Sequence, residues 1–123
     1  MTRIAVDTNA LMMPVEADVR LFDELDRLLD DYEPVVPESV LEELDRLAAG
    51  NGEEAVAASV GRDLADRCTV VATDAEYADD AVLELAGDCA YAVTNDRPLR
   101  RRLSMAGVPV ICLRAGTKLA VTN

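Results

Sequence analysis

Short apolar runs along the chain alternate with stretches in which apolar residues recur at every third or fourth position. The first run, Ile4-Ala5-Val6, ends in Asp7-Thr8-Asn9 and predicts a strand over residues 3–7. Ala10-Leu11-Met12-Met13 and Pro14 then read as a connection. Val19, Phe22, Leu25, Leu28 and Leu29 form one stripe, which predicts an amphipathic helix over about residues 16–31. Asp23, Glu24, Asp26, Arg27 and Asp30 fall outside that stripe and read as solvated. Residues 32–37, punctuated by prolines, predict a short strand. Val40, Leu41, Leu44 and Leu47 predict a helix opened by Pro37 and stopped at Gly50-Asn51-Gly52. The next helix, over residues 53–66, has Val56, Val60 and Leu64 as its inner face. Gly61 weakens it by about 1 kcal/mol relative to Ala. Strands over 68–72, 89–94 and 108–113 enclose two more helices. One starts at Asp79 or Asp80 and the other at Arg97-Pro98. Residues 114–123 read as a tail.

Continuous apolar strands between amphipathic helices imply a three-layer α/β/α sandwich around a mostly parallel, five-stranded sheet. At 123 residues the chain reads as a single domain, 1–123, large enough for a core without staples. No stretch approaches the ~20 apolar residues of a membrane helix, and no signal peptide precedes Asp7. Cys68, Cys89 and Cys112 each sit in an apolar run and read as buried thiols of a reducing compartment, which implies a cytoplasmic protein without membrane contact. The absence of histidine excludes His-based acid–base chemistry and most zinc sites.

Acids outnumber bases 24 to 12, giving a net charge of -12, and Lys118 is the one lysine. This composition resembles that of proteins adapted to high cytoplasmic salt, as in halophilic archaea. In low salt such a charge repels nucleic acid; in molar salt it is screened within a few ångströms. Net charge therefore does not exclude an RNA or DNA substrate.

In a parallel sheet, ligands gather beyond the C-terminal ends of the strands. Asp7 and Asp96 lie at such ends, Asp79 and Asp80 open a helix on the same side, and Glu42 and Glu43 lie within two turns of the start of another. These acids can converge on one rim as a hard-oxygen site whose natural occupant is Mg²⁺ or Mn²⁺. Two such cations support phosphodiester cleavage. An acid beside a strand end also has a simpler use, capping the helix that follows. Thr8, Asn9, Thr94 and Asn95 are candidates to orient substrate phosphate or water. Arg97, Arg100, Arg101 and Arg102 can hold phosphates, and Tyr77, more than the strand residue Tyr91, can stack on a base.

Four of these segments together resemble the PIN-domain family of metal-dependent ribonucleases. They are Val6-Asp7-Thr8-Asn9, Pro37-Glu38-Ser39-Val40-Leu41-Glu42-Glu43-Leu44, Tyr77-Ala78-Asp79-Asp80-Ala81-Val82 and Val93-Thr94-Asn95-Asp96 with Arg97 and Leu99. The resemblance implies strand order 3-2-1-4-5 and a catalytic, metal-binding set of Asp7, Glu43, Asp79 and Asp96. It favours Glu43 over Glu42, and Asp79 over its rival Asp80. It implies an RNA substrate and a homodimer, for which Leu11-Met12-Met13 is a candidate contact. Tyr77-Ala78-Asp79-Asp80, the stretch from Val93 to Leu103 and Gly107-Val108-Pro109-Val110 look closer to the ribosome-biogenesis, rRNA-processing type than to the toxin of a toxin–antitoxin pair with its small antitoxin partner. A non-catalytic RNA- or protein-binding adaptor is the third expectation.

Overall fold

The computed structural model describes residues 1–122. Strand β1 (Thr2–Val6) leads into helices α1 (Thr8–Glu16) and α2 (Leu21–Leu28), then β2 (Tyr32–Pro37), α3 (Glu38–Ala48) and α4 (Gly52–Leu64). A 3-10 turn at Ala65–Arg67 precedes β3 (Thr69–Val71). The chain continues through α5 (Ala78–Ala86), β4 (Tyr91–Val93), α6 (Arg97–Met105), β5 (Val110–Ala115) and β6 (Lys118–Thr122). The sheet runs β3-β2-β1-β4-β5-β6, parallel throughout except for β6. This is the expected three-layer α/β/α fold. Ile4, Ala5 and Val6 of the central strand have no exposed surface, which is why β1 reads as an unbroken apolar run.

Three elements depart from the pattern-based expectation. The first is α1, which starts directly after Asp7 and carries Pro14 inside it. Proline in a helix interior costs about 3 kcal/mol, but Ala10, Leu11, Met12 and Met13 are all buried here, and that burial offsets the cost. The residues expected as one helix over 16–31 are split instead, at Asp18, whose φ is 54°. Leu11-Met12-Met13 is thus interior, 0 to 5% exposed, and offers no surface for a dimer contact.

The second is α4. Its inner face is Ala57, Ala58 and Gly61, while Val56 is 56% exposed. The reason is the closeness of α1. A Cβ on Gly61 would lie 2.8 Å from the Leu11 carbonyl oxygen and 3.3 Å from the Leu11 Cβ. Only small residues admit that approach, so Gly61 is required by the crossing and is not merely a weak point of the helix.

The third is β6, the sixth strand, which turns back at Gly116 (φ 57°) and pairs antiparallel with β5. Its free edge is closed by α2. The Glu24 Oε1 accepts from the Leu119 N–H at 3.0 Å, and the Arg27 Nη2 donates to the Leu119 carbonyl at 2.7 Å. The pair thus takes the place of a neighbouring strand. Glu24 is 6% exposed, not solvated as expected, and its hydrogen bond from Arg27 at 2.8 Å holds its carboxyl down at about 2. Cys112 is buried, Cys68 and Cys89 half-buried, and all three are free thiols. Among the described residues no helix is long and apolar enough to cross a membrane.

Gly61→Ala should lower stability by about 1–3 kcal/mol, because the backbone contact at Leu11 outweighs the better helix propensity of Ala. Urea unfolding measures it; a raised midpoint would show that α1 and α4 can separate without loss.

Candidate functional site

The C-terminal ends of β1 and β4 lie side by side, with the Asp7 N–H bonded to the Val93 carbonyl at 3.2 Å. Asp7 stands at the N-cap position of α1, yet its carboxylate makes no cap bond. Its Oδ2 instead accepts the Thr94 hydroxyl at 2.6 Å. The same Thr94 Oγ1 accepts the Asp96 N–H at 3.1 Å, so one buried hydroxyl ties two acids together. Asp96 caps α6, its Oδ2 accepting the Leu99 N–H at 3.0 Å, and Pro98 follows in the first turn. The Asn9 Oδ1 accepts the Asn95 N–H at 2.8 Å and completes the clasp between the two strand ends.

Asp7, Glu43, Asp79 and Asp96 line a single cavity of about 240 Å³. Glu43 comes from α3 and Asp79 from the first turn of α5. Their rivals lie elsewhere: Asp80 pairs with Arg102 at 2.8 Å, and Glu42 lines a different cavity with Ser39 and Thr73. Thr8 and Asn9 also line the acid cavity. Thr94 and Asn95 do not, and Thr94, with no exposed surface, acts on the site only through Asp7 and Asp96. Tyr77 is 73% exposed at the start of α5, whereas Tyr91 is half-buried in β4.

Two further carboxylates line the cavity that sequence reasoning missed, Glu16 and Glu54. The signal was present for Glu16. Once α1 is a helix from Thr8, Thr8, Met12 and Glu16 fall at i, i+4 and i+8 on one face, and all three line the cavity. Residues 10–14, read as a connection that Pro14 closes, hide this. Arg97, Arg100 and Arg101 are brought together, but in a neighbouring cleft on the flank of α6.

Burial pushes the Asp7 carboxyl up to about 7; the Thr94 hydrogen bond opposes this, and the charges of Asp79 and Asp96 add to it. Asp79 is also raised, by partial burial first and then by Asp96 and Glu43. The donors suit a hard divalent cation, since such an ion would relieve this crowding of carboxylates. The Thr8 hydroxyl, 5% exposed and without a partner, is a further oxygen awaiting one. The four acids share the cavity without closing on one point: among the described residues no three acid or thiol side chains form a ready-made cage.

An acid-lined rim beyond the C-terminal ends of β1 and β4, in a sheet of order 3-2-1-4-5 extended by a sixth strand, defines a PIN-type α/β protein. The chain belongs to the PIN like domain family, whose model matches residues 4–116. It is similar to the solved structure of the PIN domain endonuclease Utp24, with a TM-score of 0.77 and 25% identity over 97% of this chain and 90% of that one. No curated protein is significantly similar in sequence.

Because the folded carboxyl of Asp7 titrates above its unfolded value of 3.8, stability falls as pH rises from about 4 to 7 and the penalty persists above. In chelator, Asp7→Asn should therefore match the wild type near pH 3.5 and exceed it at pH 8 by up to about 4 kcal/mol. Thermal melts across that range read the gap; a variant less stable at pH 8 would contradict the burial cost.

Proposed function

We propose that the protein is an endoribonuclease that hydrolyses RNA phosphodiester bonds with Mg²⁺ or Mn²⁺. The observation that carries this reading is the convergence of Asp7, Glu43, Asp79 and Asp96 on one cavity in a chain of the PIN like domain family. Its likeness to a PIN domain endonuclease supports the same reading. Precursor rRNA is the substrate favoured by the resemblance of residues 77–80, 93–103 and 107–110 to rRNA-processing PIN domains.

Asp7, Glu43, Asp79 and Asp96 would hold the cation, which supplies positive charge to neutralise the phosphodiester and its leaving oxygen. The remaining work falls to the chain. Thr94 fixes the Asp7 carboxylate and the Asp96 backbone, so neither acid must reorganise as charge develops. The Asp7 carboxyl, pushed up to about 7 by burial, would have to be ionised to hold a cation. The free Thr8 hydroxyl orients an oxygen of the substrate or of water inside the cavity. At a net charge of -12, the approach of RNA needs salt to screen the surface, and excess salt weakens arginine–phosphate contacts, so activity peaks at intermediate to high ionic strength.

The adaptor reading draws on the same cavity, whose acids do not close on one point. Gel-resolved cleavage of precursor rRNA and tRNA fragments in KCl with Mn²⁺ separates the two. Asp96→Asn keeps the helix cap, since Asn caps as well as Asp, but should lower the cleavage rate more than about a hundredfold. Asp79→Asn should do the same, while Asp80→Asn, which removes only an exposed ion pair with Arg102, should retain most activity. Equal losses for Asp79→Asn and Asp80→Asn would refute the assignment. A folded wild type that neither binds Mn²⁺ nor cuts RNA would favour the adaptor.

A further inference from the structure

Helix α6 carries opposite chemistry on its cap and on its flank. Asp96 at the cap lines the acid cavity, and Arg97, Arg100 and Arg101 line a cleft of about 560 Å³ against Val110 of β5 and Thr122 of β6. Ser104 and Met105 complete its walls, with Met105 84% exposed. The size lies within the range of ligand-binding clefts, about 300–1,000 Å³.

The composition of these walls sets the cleft apart. The chain has twice as many acids as bases, and four other surface cavities each carry at least one Asp or Glu. This cleft carries none and holds three of the 12 bases. The next arginine of the same run, Arg102, pairs with Asp80, whereas among the described residues the three of the cleft have no carboxylate within 4.0 Å. Three arginines lining one cleft, with no carboxylate among its described walls, form an anion site, and their planar forks match phosphate oxygens two at a time. Beside them, the exposed Met105 offers an apolar surface for the face of a base.

We propose that this cleft binds the sugar–phosphate of a single-stranded RNA segment flanking the bond presented to the acid cavity. The proposal rests on the ribonuclease reading and assigns the path of the strand. From Asp96 to Arg101 the helix rises about 7.5 Å, so a strand with one phosphate at the cap has its next nucleotides beside the arginines. The two sites divide the work. The acid cavity repels phosphate until a cation is bound, whereas the arginine cleft holds the strand in the absence of metal. It does so through the backbone, with little regard to base sequence.

The test is binding of a fluorescein-labelled 12-nucleotide single-stranded RNA to the full chain in chelator, by anisotropy across a salt series. The wild type should bind. Arg100→Ser combined with Arg101→Ser should weaken binding roughly tenfold and flatten the slope of log K against log salt by about 1.4, two phosphate contacts' worth for a single strand. With Mn²⁺ added, the same variant should raise KM and leave kcat nearly unchanged. Arg46→Ser, the loss of one charge at an exposed position of α3, should leave binding within about twofold, and circular dichroism should report the same fold for all. A double variant that binds like the wild type with the same slope overturns the cleft and leaves the nuclease reading intact. Equal losses from Arg46→Ser would reduce the effect to overall charge and also overturn it. A wild type that binds through these arginines in chelator but never cleaves with Mn²⁺ keeps the cleft and removes the nuclease.

Discussion

The arrangement depends on one buried hydrogen bond, from the Thr94 hydroxyl to the Asp7 carboxylate at 2.6 Å. A carboxylate with 2% exposure is held off balance by desolvation, and a single donor only partly compensates it. Thr94 cannot move to serve it better, because its oxygen also accepts the Asp96 N–H. Asp96 in turn caps α6, and the Asn9–Asn95 bond locks the two strand ends together. The site is therefore rigid and under-neutralised at once. That combination suits a group of carboxylates that acts only when a cation completes it.

The rest of the fold keeps that rim in place. α1 must leave β1 at Asp7 without a gap, so that Thr8 and Glu16 face the cavity, and its position is set by the close crossing with α4 at Gly61. α2 follows α1 and closes the far edge of the sheet through Glu24 and Arg27 on Leu119. β6 and β5 in turn form one wall of the arginine cleft. The acidic surface, the carboxylate rim and the basic cleft are thus parts of one electrostatic plan, in which α6 joins an anionic cap to a cationic flank.

Most of this was legible in the sequence wherever burial and periodicity agree. β1, α3, α5 and α6 follow from runs and stripes, and Asp7 and Asp96 from their places at strand ends, whereas Glu43 over Glu42 and Asp79 over Asp80 follow only from the family resemblance. The failures have physical causes. Pro14 signals a helix end by local propensity, and burial of Ala10 to Met13 overrode it. Val56 and Val60 outrank Ala57 and Gly61 in hydrophobicity, but the distance between helices selected the small residues. Glu24 carries a charge that locally belongs in water, and only the strand 95 residues away explains its burial. β6 is five residues long and stable only as a partner of β5. Contacts distant in sequence leave no local pattern, and Glu54 of the cavity was invisible for that reason.

The central claim is that the four-acid cavity takes a divalent cation. It is tested most directly by calorimetric titration of the folded protein with Mn²⁺, in two buffers of different ionisation enthalpy. The account predicts saturable binding with proton release that is greater at pH 6 than at pH 8, as Asp7 loses the proton it carries at its raised value. It also predicts that Asp7→Asn removes the proton release and weakens the binding. Saturable Mn²⁺ binding that is unchanged in affinity and proton count by Asp7→Asn, or no binding at all by the folded wild type, would contradict it.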